Sequence, residues 1–191
     1  MHEYDLIAEW YASQRTDGTG VPEVTALVSS LPPSASVLDV GCGNGLPLTR
    51  VLVDHGCRVL GVDSSPNMLA RFAVNFPSVP AICSSIQNCD LAGRKFDAAH
   101  MWGVMFHLPH AEQVKAIAKV ASALKPGGAF LFTSGDDDGW KDGEPMNGVP
   151  FRYYSFTRDG YRERLQEHGL TLEETHIDKG ENIYYLARRT T

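Results

Sequence analysis

The stretch Val37-Leu38-Asp39-Val40-Gly41-Cys42-Gly43-Asn44-Gly45-Leu46 decides the fold. Val37, Leu38 and Val40 make a short apolar run suited to an internal parallel strand, and Leu48, Val51 and Leu52 recur beyond the glycines at helical spacing. The order is strand, glycine turn, helix. Glycine accepts positive φ and lets another molecule approach the main chain, while a helix start presents unpaired N–H groups. A turn of this kind receives a ligand.

Spacing narrows the choice of ligand. A dinucleotide-binding turn carries GxGxxG with a pyrophosphate on the helix start. Here the pattern is GxGxG, and Asp39 stands two residues ahead of the first glycine, where its charge opposes a pyrophosphate and suits a cationic group. Arg58–Asp63 reads as the second parallel strand, ending in an acid about 20 residues beyond the glycines, where a carboxylate that accepts from both ribose hydroxyls is expected. Helix capping is the plainer role for such an acid, but Ser64 or Ser65 before Pro66 can fill it.

VLDVGCGNG resembles motif I of the class I S-adenosylmethionine-dependent methyltransferases. Two later stretches are similar to further signatures of that family: Phe96-Asp97-Ala98 running through Gly103-Val104 to His107-Leu108-Pro109, and Leu124-Lys125-Pro126-Gly127-Gly128 before an apolar strand. The resemblance covers nearly the whole chain and implies S-adenosylmethionine as cofactor, leaving as S-adenosylhomocysteine. It implies cofactor contacts from Asp39, Gly41, Cys42, Gly43, Asp63 and Ser64, with Met68 on the adenine face and Met101 and Trp102 beside the methionine part. The lead segment Tyr4-Asp5-x-Ile7-Ala8-x-x-Tyr11 resembles the family's cover helix and implicates Tyr11 and Arg15 at the methionine carboxylate. A lid packed for stability alone, with Arg15 solvated, is the competing reading. Ser84-Ser85-Ile86 departs from the family, which usually has an acid there for the adenine amino group. Ser85 is a weaker, neutral acceptor, so recognition leans on the Ile86 backbone N–H and on apolar packing. Phe106 and His107 would face the methyl group or lie just behind it. A histidine of ordinary pKa can take a proton from an acceptor at neutral pH, but His107 can equally cap or pack.

The 191 residues fit one domain, 1–191, with a lid helix within 1–20. A net charge of −6 and the lack of any lysine or arginine run argue against a nucleic-acid partner, which needs a basic face, and leave a small molecule as the expected one. Cys42, Cys57, Cys83 and Cys89 show neither CxxC nor zinc spacing, so they read as reduced thiols in a cytoplasmic protein, with no metal bound. The first residues lack a basic and apolar leader, and no apolar run is long enough to span a bilayer, so no membrane partner is expected.

In chain order, helical patterns at residues 3–13, Pro22 onward, Pro66–Phe76, Ala111–Lys125 and Thr157 onward alternate with strands at 37–40, 58–63, 80–83, 96–102 and 129–133. A hairpin of Leu170–Ile177 and Asn182–Arg188, turning at Asp178-Lys179-Gly180, closes the chain. These define a doubly wound, Rossmann-like α/β sheet of seven strands, with helices on both faces. All strands run parallel except the last, as the resemblance implies. Residues 135–155 are rich in Gly, Asp and Pro and longer than the ~12–15 residues at which unstructured loops become uncommon, so they read as a substrate loop. With Phe106, its Trp140 and Tyr153 are the substrate-contact candidates, supported by Met146, Phe151 and Tyr154. Asp136-Asp137-Asp138 suggests a solvated turn, not a metal site, because consecutive acids diverge in direction.

The expected function is methyl transfer from S-adenosylmethionine to a small-molecule acceptor, driven by alignment and exclusion of water. A protein that binds the nucleoside without transferring methyl shares every strong motif and stays open. A nicotinamide oxidoreductase would share the sheet and the ribose acid, but the early third glycine and Asp39 oppose it.

Overall fold

The computed structural model describes residues 3–14, 18–177 and 183–190. The main sheet is built from β1 (Ser36–Val40), β2 (Arg58–Asp63), β3 (Ala81–Cys83), β4 (Phe96–Met101) and β5 (Leu124–Ser134). After a separate hairpin of β6 (Gly139–Asp142) and β7 (Arg152–Ser155), it is completed by β8 (Leu170–Ile177) and β9 (Ile183–Arg189). Its order is β3-β2-β1-β4-β5-β9-β8, and β9 runs antiparallel to both neighbours. The chain winds from β1 outward to β3 and then returns to place β4 against the other side of β1. At that reversal the connections leave β1 and β4 in opposite directions and open a crevice over the strands' carboxyl ends.

Helices cover both faces: α1 (Glu3–Gln14), α2 (Val21–Ser29), α3 (Leu48–Asp54), α4 (Pro66–Asn75), α5 (His110–Ala123) and α6 (Arg158–Glu167). Strand periodicity divides the core. Val37, Ala98 and Leu131 pack with Val24 and Leu27 of α2 and Leu48 and Leu52 of α3, whereas Leu38, Ala99 and Phe130 pack with Ile117 and Val120 of α5 and Tyr161 of α6. Because both faces are buried, the central strands read as continuous apolar runs. Ser65 caps α4 by accepting from the Met68 N–H, and Thr157 caps α6 by accepting from Gly160.

One expectation changes. Residues 135–155 are partly ordered as the hairpin, with Trp140 opposite Tyr154 and Asp142 opposite Arg152. Their Gly, Asp and Pro content conceals two strands of only four residues each. On α1, Leu6 is 58% exposed while Ile7 and Ala8 supply the buried stripe. The Asp178-Lys179-Gly180 turn lies outside the described residues. No helix of the described residues is long and apolar enough to cross a membrane.

Candidate functional site

A cavity of about 490 Å³ occupies the crevice, a size suited to a small-molecule site. Its wall is the glycine turn. Gly41, Gly43 and Gly45 all adopt positive φ. A Cβ on Gly41 would stand 2.1 Å from Val104 Cγ2 and one on Gly45 2.2 Å from Phe76, so these two glycines let neighbouring elements close in. Gly43 is different: its φ is +54°, and a Cβ there would meet nothing within 4 Å. Packing leaves the space over Gly43 open, and Gly43 borders the cavity. The turn runs on through Leu46 and Pro47 before α3 begins, so the cradle is loop backbone.

Asp63 fixes the turn. Its Oδ2 accepts from the Gly43 N–H at 2.8 Å and its Oδ1 from the Ser65 N–H at 2.8 Å, tying the glycines to the start of α4. Asp39 lies deeper, only 2% exposed, with Oδ2 accepting from the Thr49 hydroxyl at 2.5 Å and Oδ1 3.1 Å from His100 Nε2. Burial, together with Asp39 and Asp63 nearby, pushes the Cys42 thiol far up, so it stands as a neutral, unreactive wall.

Of the cofactor candidates, Tyr11, Asp39, Gly41, Cys42, Gly43, Asp63, Ser64, Met68, Ser85, Ile86 and Trp102 line the cavity. Met101 does not: it is adjacent to Trp102, and strand alternation sends it to the opposite face, into the α5 core. Arg15 lies outside the described residues. His107 lines the cavity, and its Nε2 lies 2.8 Å from the Tyr4 hydroxyl of α1. Phe106 and Tyr153 are off the lining but pack on His107 from behind, with ring centroids 4.6 and 5.3 Å from it. Trp140 is 59% exposed and off the lining, covered by the Arg152 guanidinium 4.0 Å from its ring centroid. The wall is supplied by Phe151, Arg152 and Tyr154 instead.

Sequence reasoning missed Tyr4, Thr49 and His100 as lining residues. Tyr4 stands two turns before Tyr11 on one helix face, a signal available in the lead motif. Thr49 is one polar residue in an apolar helix pattern. His100 becomes conspicuous only when β1 and β4 are aligned, because Asp39 and His100 are register partners.

Strand order, glycine turn and switch-point cavity together define the Rossmann-like α/β class. The family model described as a methyltransferase domain matches residues 37–128. The matched segment, a little under half of the chain, is similar to methyltransferase domains. It is 31% identical over 101 residues to an uncharacterized methyltransferase of Synechocystis, covering 53% of this chain and 47% of that protein. With a tRNA U34 carboxymethyltransferase of Cellvibrio japonicus it shares 28% over 138 residues, 69% of this chain and 40% of that one. The chain thus spans about half, or less, of the length of these curated relatives. The 1,6-didemethyltoxoflavin-N1-methyltransferase of Burkholderia thailandensis, solved with its substrate and S-adenosylhomocysteine, superposes with a TM-score of 0.74 at 23% identity, over 99% of this chain and 87% of that one. At that identity the likeness carries the fold.

Proposed function

We propose that the chain transfers the methyl group of S-adenosylmethionine to a small, planar and largely apolar acceptor. The observation that carries this reading is a single cavity with a polar cradle at one end and an aromatic mouth at the other. At the cradle, Asp63 would accept from the ribose hydroxyls, the glycine backbone would pass beneath the nucleoside, and Met68 and Ile86 would enclose the adenine, with Ser85 as a neutral acceptor beside it. The cradle's open space over Gly43 fits such a ligand. When bound, the cofactor supplies an electrophilic methyl group on sulfur.

At the mouth, Tyr4, Tyr11, His107 and Phe151 form a ring cluster, with Tyr4 centred 5.0 Å from Tyr11, 5.2 Å from His107 and 5.2 Å from Phe151. Such faces select a flat, weakly charged acceptor and exclude water. Their main contribution is alignment, since in-line displacement needs the acceptor lone pair held behind the methyl carbon. Where the acceptor atom carries a proton, the Tyr4 hydroxyl would receive it while passing its own to His107 Nε2. The tRNA-modifying relative raises a nucleic-acid acceptor as a second reading, which the net charge of −6 opposes. Four free cysteines agree with a cytoplasmic setting.

The test is release of S-adenosylhomocysteine from the full chain, screened over planar heterocycles and phenols with tRNA as a separate arm. Turnover on flat small molecules supports the reading. Turnover on tRNA alone overturns the acceptor class, and binding of S-adenosylhomocysteine with no turnover on any acceptor favours a nucleoside-binding role.

A further inference from the structure

The buried residues of α5 are Ala116, Ile117, Val120, Ala121, Ala123 and one polar side chain, Gln113, which is 0% exposed. A fully buried amide has to find partners, and this one uses both of its hydrogens and its oxygen. Its Nε2 donates to the Leu108 carbonyl at 2.9 Å and to the Tyr154 carbonyl at 3.0 Å, while its Oε1 accepts from the Tyr161 hydroxyl at 2.7 Å. Carbonyls can only accept, so these two fix which way the amide faces, and an amide does not titrate. Tyr161 is anchored in turn on the Ser134 hydroxyl of β5.

The two carbonyls belong to the two walls of the aromatic mouth. Leu108 follows His107 on the segment after β4, Tyr154 follows Phe151 and Arg152 on the hairpin, and both line the cavity. β7 pairs with β6 alone, so no ladder of the main sheet holds this wall in place. Rings of the two walls meet, His107 with Phe151 and Phe106 with Tyr153, each pair 5.4 Å between centroids. Ring contacts of that kind leave the backbones free to slide. One NH2 group bonded to both carbonyls does not, because its two N–H directions hold the oxygens about 5 Å apart.

We propose that Gln113 is a positioning residue for the methyl acceptor, holding the two walls of the mouth at the spacing that admits a flat molecule. This rests on the acceptor reading above. Gln113 does not line the cavity, so it acts through Leu108 and Tyr154. Without the amide, both carbonyls gain by moving towards water, and the mouth spends part of its time open. One tie remains on the same helix, where His110 Nε2 lies 2.8 Å from the Ser155 carbonyl, so the hairpin loosens without detaching. An acceptor then has to select the assembled mouth, and its apparent affinity falls by the assembled fraction while the bound complex reacts as before.

The test compares wild type with Gln113→Met in the full chain, using an acceptor turned over in the screen of heterocycles and phenols. KM for that acceptor should rise roughly tenfold, the scale of one net hydrogen bond, with kcat lowered less than about threefold and the Kd of S-adenosylhomocysteine within about twofold. A merely structural role would leave fewer folded molecules, lowering kcat at constant KM, and that result overturns the proposal. Equal weakening of S-adenosylhomocysteine binding overturns it too. Hydrogen exchange of the protein loaded with S-adenosylhomocysteine gives a readout that needs no acceptor. Exchange in Gln113→Met should accelerate at residues 105–108 and 151–155 and stay unchanged in β1–β4; acceleration spread through the sheet overturns the proposal. If the screen yields no acceptor, the acceptor reading falls, and exchange still decides whether Gln113 joins the walls. Should Gln113→Met fail to fold, exchange of the wild type in low urea replaces it. There the Leu108 and Gly143 amides, which donate to the Met105 and Phe151 carbonyls, should open together, and independent opening refutes the clamp.

Discussion

Replacing Asp63 separates stability from ligand binding, because its two oxygens already serve the fold. Asp63→Ala strands the Gly43 and Ser65 N–H groups, both of which donate at 2.8 Å. A hydrogen bond to a charged acceptor contributes about 1.5–3 kcal/mol, and this half-buried pair belongs at the low end, so the loss is about 3 kcal/mol. For a domain of this length, each kcal/mol moves Tm by about 2–4 °C, giving a fall of about 6–12 °C. Asp63→Asn keeps one acceptor oxygen and should lose about half as much. S-adenosylhomocysteine at 100 times its Kd adds about 2.7 kcal/mol, or about 5–11 °C, to the wild type. That ligand shift should be absent in Asp63→Ala, and NAD should give none in either protein. Scanning calorimetry with and without each ligand is the assay. If Asp63→Ala melts within about 2 °C of wild type and still shows the full ligand shift, Asp63 has neither role. A wild-type shift with NAD alone would refute the cofactor assignment.

The glycines of the turn should divide by what surrounds them. Gly43→Ala meets no atom, so it should cost only the ~1–2 kcal/mol of a left-handed backbone, while S-adenosylhomocysteine affinity falls at least tenfold; Gly41→Ala, driven into Val104, should unfold far more readily in urea. Burial pushes the Tyr161 hydroxyl from its ordinary 10 up to about 12. The unfolded chain therefore loses that proton first, so the stabilisation is whole below pH 10 and disappears as pH rises from about 10 to about 12. Tm measured across that window should fall less steeply in Tyr161→Phe. The same variant should be less stable by about 1–3 kcal/mol at pH 7, because the Gln113 and Ser134 oxygens it engages are buried. Trp140→Ala, which removes an exposed stacking contact, should change turnover on an identified acceptor less than twofold, whereas Phe151→Ala should reduce it at least tenfold; the reverse order would move the acceptor to the hairpin's outer face.

What the sequence carried well was local and periodic. Apolar runs bounded by glycines located the strands, and the acid closing Arg58–Asp63 falls beside the glycine turn because β1 and β2 are neighbours in register. What escaped it depends on register between strands distant in sequence, or on side-chain direction. Asp39 and His100 are far apart in sequence, and only the pairing of β1 with β4 makes them one cluster. Expecting both Met101 and Trp102 at the cofactor overlooks the two-residue period, which allows one of an adjacent pair to face the cavity. Aromatic content in residues 135–155 suggested a contact role for Trp140, but its direction depends on a hairpin whose polar composition conceals its strands.

The two ends of the cavity are also mechanically joined, which bears on how α1 can act as a cover. Asp5 of α1 accepts from the Ser65 hydroxyl at 2.7 Å and from the Asn67 N–H at 3.0 Å, while the Ser65 N–H donates to Asp63. One residue earlier on α1, Tyr4 reaches His107 at the aromatic mouth. A single short helix therefore spans from the acid proposed for the ribose to the rings proposed for the acceptor. Moving α1 away would break the Asp5 links and the Tyr4 bond together, so opening costs several hydrogen bonds at once and leaves α4's first turn without one of its acceptors. Ligand contact at Asp63 would hold Ser65, and through it Asp5, in the closed arrangement. In that way occupancy of the cradle would favour an assembled mouth, and an acceptor arriving after the cofactor would meet rings already in position.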